Sequence, residues 1–155
     1  RRRHPGRAAP ADEVDAPVVP QGRVDHLIAF EVLEGMRRLN QVRRGGTVLL
    51  NQQEIHPVTV SSGLADYPTD DVIERSFENA TDHVFRIPGL QMARDLGNAR
   101  VLNVVLLGAA SALLPADADL WRQVLRERVP ARYVELNLQA FENGRLWMEN
   151  ERVPA

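Results

Sequence analysis

The apolar positions of this chain change their period as the sequence advances. Residues 24–30 (Val-Asp-His-Leu-Ile-Ala-Phe) are a short, mostly apolar run, which predicts a buried central β-strand. From residue 31 to 42 the apolar Val32, Leu33, Met36 and Leu39 fall on one stripe, predicting a helix. Arg43, Arg44, Gly45 and Gly46 then supply the basic residues and glycine that helix ends favour. Thr47-Val48-Leu49-Leu50-Asn51 reads as a second buried strand. Strand, helix and strand at this spacing predict a right-handed βαβ unit with parallel strands.

Beyond a polar stretch, Gln52-Gln53-Glu54-Ile55-His56-Pro57, residues 58–63 continue in an extended pattern. Thr69 is placed to cap a helix with Asp70 and Asp71 in its first turn and Val72, Ile73, Ser76, Phe77 and Ala80 on its inner face. Residues 83–88 alternate as a short strand ending at Pro88, and residues 90–96 form a short helix stopped by Gly97. After the Gly97-Asn98 stop, the segment up to Ala110 reads as a helix that is apolar all round except for Asn103, and so as one enclosed by other elements. A buried amide needs a partner, because leaving one unpaired costs about 1–3 kcal/mol. Asn103 is thus expected either to fix this helix against the sheet or to face a ligand, and the structural role is favoured. Asp117 or Asp119 starts a helix carrying Leu120, Trp121, Val124 and Leu125. Past Pro130, a last helix places Tyr133, Val134, Asn137, Leu138 and Phe141 on one stripe.

These elements predict an α/β fold: a mostly parallel sheet of βαβ units followed by a helical C-terminal third. At 155 residues the chain has enough length for one domain with a substantial core. Residues 14–147 are read as that domain, with tails at 1–13 and 148–155. The net charge of −2 gives no support to a nucleic-acid partner, and the longest apolar run is too short to span a membrane. The expected location is the cytoplasm. All 19 basic residues are arginine, so no Schiff-base or P-loop lysine is present. With no cysteine, this sequence has no thiolate nucleophile and no thiolate ligands for an iron–sulfur cluster.

Complete catalytic motifs are missing. His4, His26, His56 and His83 are far apart, and no two share metal-ligand spacing. His26 reads as a satisfied core or sheet-edge residue; His56 is the one histidine in a strand-end loop. Ser61-Ser62-Gly63 lacks the nucleophile elbow, and no Gly-x-Gly-x-x-Gly or Gly-Asp-Gly segment occurs. The remaining candidates follow the second strand, since ligands of open α/β sheets bind at the carboxyl ends of the strands. There Asn51, Gln52 and Glu54 are candidate cofactor-contacting residues, with a solvated turn capped by Asn51 as the alternative. No catalytic or metal-ligating residue is assigned.

Two resemblances compete. Phe30-Glu31-Val32-Leu33-Glu34 followed by Gly45-Gly46-Thr47-Val48-Leu49 is similar to a fragment of class I S-adenosylmethionine-dependent methyltransferases. Only 23 residues precede Val24, which leaves no room for that family's upstream Gly-rich loop. The longer match runs from Asp12 to Arg145. It includes Ala16-Pro17-Val18-Val19-Pro20-Gln21-Gly22, Gly45-Gly46-Thr47-Val48 with Asn51, and Pro57-Val58-Thr59. Leu96-Gly97-Asn98, Arg100, Asn103-Val104-Val105-Leu106-Leu107-Gly108-Ala109, Val134-Glu135-Leu136-Asn137 and Ala140-Phe141 follow in order. In these segments the chain resembles the gamma-type domain of 2-oxoacid:ferredoxin oxidoreductases, the indolepyruvate oxidoreductase beta subunits above all.

The resemblance implies a subunit that takes part in oxidative decarboxylation of a 2-oxoacid, of the indolepyruvate or aryl-pyruvate type, to an acyl-CoA. Coenzyme A would be the co-substrate and ferredoxin the electron acceptor. Thiamine diphosphate, magnesium and iron–sulfur clusters would be carried by a large alpha subunit, with no cofactor held in this chain and no activity when isolated. Family members begin with a strand and a Gly-x-Gly-Gly-Gln-Gly turn that are not found here. The domain is therefore expected to be N-terminally truncated, with residues 1–13 a disordered or misassigned start. A non-catalytic interaction fragment is the further alternative.

Overall fold

The computed structural model describes residues 19–52 and 68–152. Three strands, β1 (Val24–Ala29), β2 (Val42–Asn51) and β3 (His83–Ile87), form a parallel sheet in that order. Among the described residues six α-helices accompany them: α1 (Val32–Arg38), α2 (Asp70–Ala80), α3 (Gly89–Asp95), α4 (Leu102–Ser111), α5 (Ala118–Arg128) and α6 (Val134–Glu151). The predicted α/β class with a helical C-terminal part is what the chain adopts. A boundary at residue 147 falls inside α6, which continues to Glu151 with Met148 fully buried.

Side-chain alternation along the strands separates two cores. Ala29, Val48 and Leu50 face one side, where they meet Val32, Ile73 and Phe77 of α1 and α2. Leu49 and Ile87 face the other and join Ala93, Val105, Leu106, Ala109, Ala140 and Phe141 from α3, α4 and α6. Helices thus pack against both faces of the sheet, the usual arrangement for parallel strands.

Several expectations change. First, β1 is an edge strand among the described residues, not a central one. Ile28 pairs with Leu49, yet it remains 40% exposed because α3, α4 and α6 cover only the β2–β3 side of that face. An apolar run does not say how far a helical layer extends across a sheet. Second, Gly45-Gly46 does not end a helix. α1 stops at Arg38, Leu39–Gln41 is a 3-10 turn, and the chain is already in β2 at Val42. Pairing jumps from Val24–Val42 to His26–Thr47, so β2 bulges between them. Gly45 takes a left-handed φ of 68°, and a Cβ on Gly46 would lie 3.0 Å from the Val24 carbonyl oxygen. The Thr81 hydroxyl donates to the Gly46 carbonyl at 2.6 Å, fastening the bulge to the turn before β3.

Third, Asn103 is exposed, not an amide locked against the sheet. Asn98–Ala110 is also not one helix: Ala99–Val101 is a 3-10 turn ahead of α4. The preceding stop is as predicted, with Gly97 at φ 82° and Asn98 N–H donating to the Ala93 carbonyl at 3.1 Å. Thr69 does occupy the N-cap of α2, but its side chain makes no capping bond. His26 is half-buried, and its Nδ1 has no partner among the described residues, unlike the satisfied histidine expected. The stripe predicted on α6 is also displaced. Its buried residues are Ala140, Phe141, Gly144 and Met148, whereas Tyr133 is exposed.

The enclosed helix α4 owes its burial to α6. A Cβ on Gly108 would lie 2.0 Å from the Phe141 carbonyl oxygen, and one on Gly144 1.9 Å from that of Val105. The two backbones therefore touch. Ser111 donates to the Gly108 carbonyl at 2.6 Å and accepts from Arg145 at 3.0 Å, binding the same pair of helices from the side. Arg122 of α5 grips Glu142 of α6 through two bonds of 2.6 and 3.0 Å and also reaches Asp119 at 2.7 Å. The Arg122 bond holds the Glu142 carboxyl below its ordinary value, outweighing the opposite effect of partial burial.

Two outcomes follow. Gly108→Ala should destabilise the protein by about 3 kcal/mol or more by overpacking and lower Tm by roughly 10 °C, as read by calorimetry. Leu146→Ala, at an exposed position, should shift it little. Glu142 carries a depressed pKa in the folded state, so its contribution is complete above the ordinary 4.5 and fades as pH falls below that value. Urea unfolding of wild type and Glu142→Gln should differ at pH 7 and converge toward pH 3.

Candidate functional site

At the carboxyl ends of the strands the sequence turns away from the sheet, and this is where the candidate residues fall. Asn51 and Gln52 are consecutive, so they point in opposite directions. Asn51 is 0% exposed. Its Nδ2 donates to the Phe30 carbonyl at 3.0 Å, tying the end of β1 to β2. Its Oδ1 faces Gly89 at the start of α3, where a Cβ would come within 3.0 Å of it. Here is the buried amide that the sequence suggested at Asn103. Gln52 is exposed, and its N–H donates to the Ile87 carbonyl at 2.9 Å, extending the β2–β3 pairing by one residue. Glu54, with Gln53 and His56, lies outside the described residues.

Gln52 borders a cavity of about 550 Å³ together with Val32, Asp70, Ile73, Glu74 and Arg86. Its position is fixed by three local features. Val32 opens α1 after β1, where Glu31 accepts from the Leu33 and Glu34 N–H groups at 3.0 Å. Asp70 and Glu74 lie on successive turns of α2. Arg86 leaves β3 on the same face as Leu50, donates to Glu74 at 2.7 Å and sits 5.2 Å from the centre of the Phe77 ring. A second cavity of about 360 Å³ continues past Arg86 along α2 to Thr81 and Asp82.

Arg86 and Glu74 were not singled out in the sequence, although the alternation of His83-Val84-Phe85-Arg86-Ile87 already set Arg86 on the face opposite Phe85. What could not be read is the approach of Glu74, which depends on the docking of α2. Among its described residues the cavity carries one guanidinium against two carboxylates, which suits polar contacts to a ligand or a neighbouring protein. Among the described residues no group of three His, Asp or Glu side chains could hold a metal ion. No described helix is long and apolar enough to cross a membrane. Asn51→Leu should cost about 1–3 kcal/mol by leaving the Phe30 carbonyl without its donor, whereas Gln52→Ala should stay within about 0.5 kcal/mol in urea unfolding.

The family model for pyruvate ferredoxin/flavodoxin oxidoreductase matches residues 7–147. Indolepyruvate oxidoreductase subunit IorB of Pyrococcus horikoshii is 36% identical over 136 residues, covering 86% of this chain and 67% of the relative. The subunit of the same name from Thermococcus kodakarensis is 35% identical over 136 residues with the same coverage. The gamma subunit of a keto/oxoacid ferredoxin oxidoreductase from Geobacter sulfurreducens superposes with a TM-score of 0.60 at 21% identity, over 83% of this chain and 66% of that one. A 2-oxoglutarate:ferredoxin oxidoreductase from Magnetococcus marinus gives 0.59 at 20% identity, over 87% of this chain and 22% of that one. The chain thus spans about two thirds of its sequence relatives and less of the larger solved chain. The match across nearly the whole domain displaces the short methyltransferase resemblance, and the chain belongs to the pyruvate ferredoxin/flavodoxin oxidoreductase family.

Proposed function

We propose that this chain is the small subunit of a 2-oxoacid:ferredoxin oxidoreductase of the indolepyruvate type, acting in the cytoplasm with a larger catalytic subunit. The observation that carries the reading is the 36% identity to an indolepyruvate oxidoreductase subunit along 86% of the chain. The reaction would oxidatively decarboxylate an aryl pyruvate to its acyl-CoA and pass the electrons to ferredoxin. Thiamine diphosphate with its magnesium ion and the iron–sulfur clusters belong to the large subunit in this reading. The residues here do not fit those groups: the chain has no cysteine or Gly-Asp-Gly segment, and no described acidic or histidine cluster could hold a metal.

The contribution of this chain is then to shape and close a site whose reactive group comes from its partner. In this reading Gln52, which borders the cavity on the carboxyl edge of the sheet, would contact the partner's cofactor or the loop that holds it. Asn51 fixes the end of the strand that presents Gln52, and Glu54 follows two residues further along the chain.

Co-expression with the large subunit of an indolepyruvate oxidoreductase tests the assignment. The two chains should elute as one complex in fixed ratio on size exclusion, and this chain alone should not bind S-adenosylmethionine in calorimetry. Separate elution of two folded proteins would overturn the subunit reading.

A further inference from the structure

A third cavity, about 230 Å³, lies between the 3-10 turn that opens α4 and the beginning of α6, apart from the sheet edge. Asn98, Arg100, Asn103 and Asn137 form its polar wall, and Val101, Leu136 and Tyr133 the rest. The volume is below the roughly 300–1,000 Å³ of sites for small organic ligands and suits one inserted side chain.

The polar wall is rich in donors and carries positive charge. Neither the Arg100 guanidinium nor the Asn103 amide has a hydrogen-bond or ion-pair partner among the described residues, although six other arginines are paired with carboxylates. Outside the wall, the Arg132 guanidinium stacks 4.7 Å from the centre of the Tyr133 ring. Among the described residues the cavity wall contains no carboxylate. Glu135, nearby on α6, accepts a bond from Gln139 at 3.2 Å.

The wall is also held in place. Asn98 Oδ1 accepts from the Arg100 N–H at 3.0 Å, Asn137 Nδ2 donates to the Tyr133 carbonyl at 2.8 Å, and Val101 is anchored in the core. An unpaired guanidinium carried by a held backbone, beside amides and over an apolar floor, is complementary to a carboxylate on a short aliphatic stem.

We infer that this cavity receives an aspartate or glutamate side chain of the large partner subunit and so forms an anchoring point of the interface. The inference rests on the subunit reading above. It assigns Asn103 a role at a protein contact, not in the interior of the domain.

The test measures affinity of the full chain for the large subunit, with Arg100→Glu, Arg100→Lys and Asn103→Leu as variants. All three sit at exposed positions and should melt like wild type. Arg100→Glu should weaken binding at least tenfold and reduce its dependence on salt; Asn103→Leu should weaken it several-fold, and Arg100→Lys should fall between wild type and Arg100→Glu. Undiminished binding by Arg100→Glu, with wild type assembling normally, overturns the anchoring point alone. Failure of wild type to assemble overturns the subunit reading and the anchoring point together. Glutarate, as a stand-in for a glutamate side chain, provides a separate readout through the NMR signals of the Asn98, Asn103 and Asn137 amide groups. These should shift in wild type and not in Arg100→Glu, and their absence in wild type would overturn carboxylate recognition. Glutarate-induced shifts combined with undiminished assembly of Arg100→Glu would mark a small-anion site and overturn the docking proposal.

Discussion

The contact of α4 with α6 through Gly108 and Gly144 is the constraint on which the helical layer depends. Two helices ordinarily stand 8–10 Å apart because side chains fill the space between their axes. Here each glycine faces a backbone carbonyl of the other helix at a distance that excludes even a methyl group. Glycine inside a helix costs up to about 1 kcal/mol relative to alanine. That cost is offset by what the crossing encloses: Val105, Leu106, Ala109, Ala140, Phe141 and Met148 all lie buried around it. An apolar helix such as α4 is stable in water only while a neighbour covers it, so the crossing also explains how its sequence is tolerated.

The sheet is organised by polar bonds at its two ends. At one end Thr81 holds the β2 bulge; at the other Asn51 ties the exit of β1 to β2 beside the start of α3. Both are buried side chains whose bonds are made in full view of the low-dielectric interior, where loss of a partner costs most. The Asn51 bond fixes the carboxyl edge, where Gln52, Glu74 and Arg86 line a cavity. The site is therefore a consequence of strand ends and helix starts, and its shape follows from the rigidity of the elements beneath it.

The class of fold was readable because parallel strands and amphipathic helices leave distinct periods in sequence. Gly97 as a stop was equally legible, and so was an aspartate cap at 117 or 119, a place that Asp117 takes, since these effects are local. The edge position of β1 was not, because it depends on which strands and helices lie beside it. The misplacement of the buried amide has the same origin. In α4 the surroundings of Asn103 looked uniformly apolar, yet the helix meets a cavity, not the core, at that point. Asn51 ends an equally apolar strand and could be taken for a turn residue, but its side chain enters the interior. Of the site, Gln52 was visible through the rule that ligands gather at strand ends. Arg86 and Glu74 were not, because the sequence holds no record of how α2 docks.

The molecule is thus a family domain with a rigid helical crossing, a cavity at the sheet edge and a donor-rich hollow beside α4. These surfaces suit a protein that completes a site shared with another chain. The most direct test is reconstitution: aryl-pyruvate- and coenzyme A-dependent reduction of ferredoxin by an indolepyruvate oxidoreductase large subunit, measured with and without this chain. Activity that appears only when both are present is the predicted result. Full activity of the large subunit alone, unchanged when this chain is added, would contradict the account.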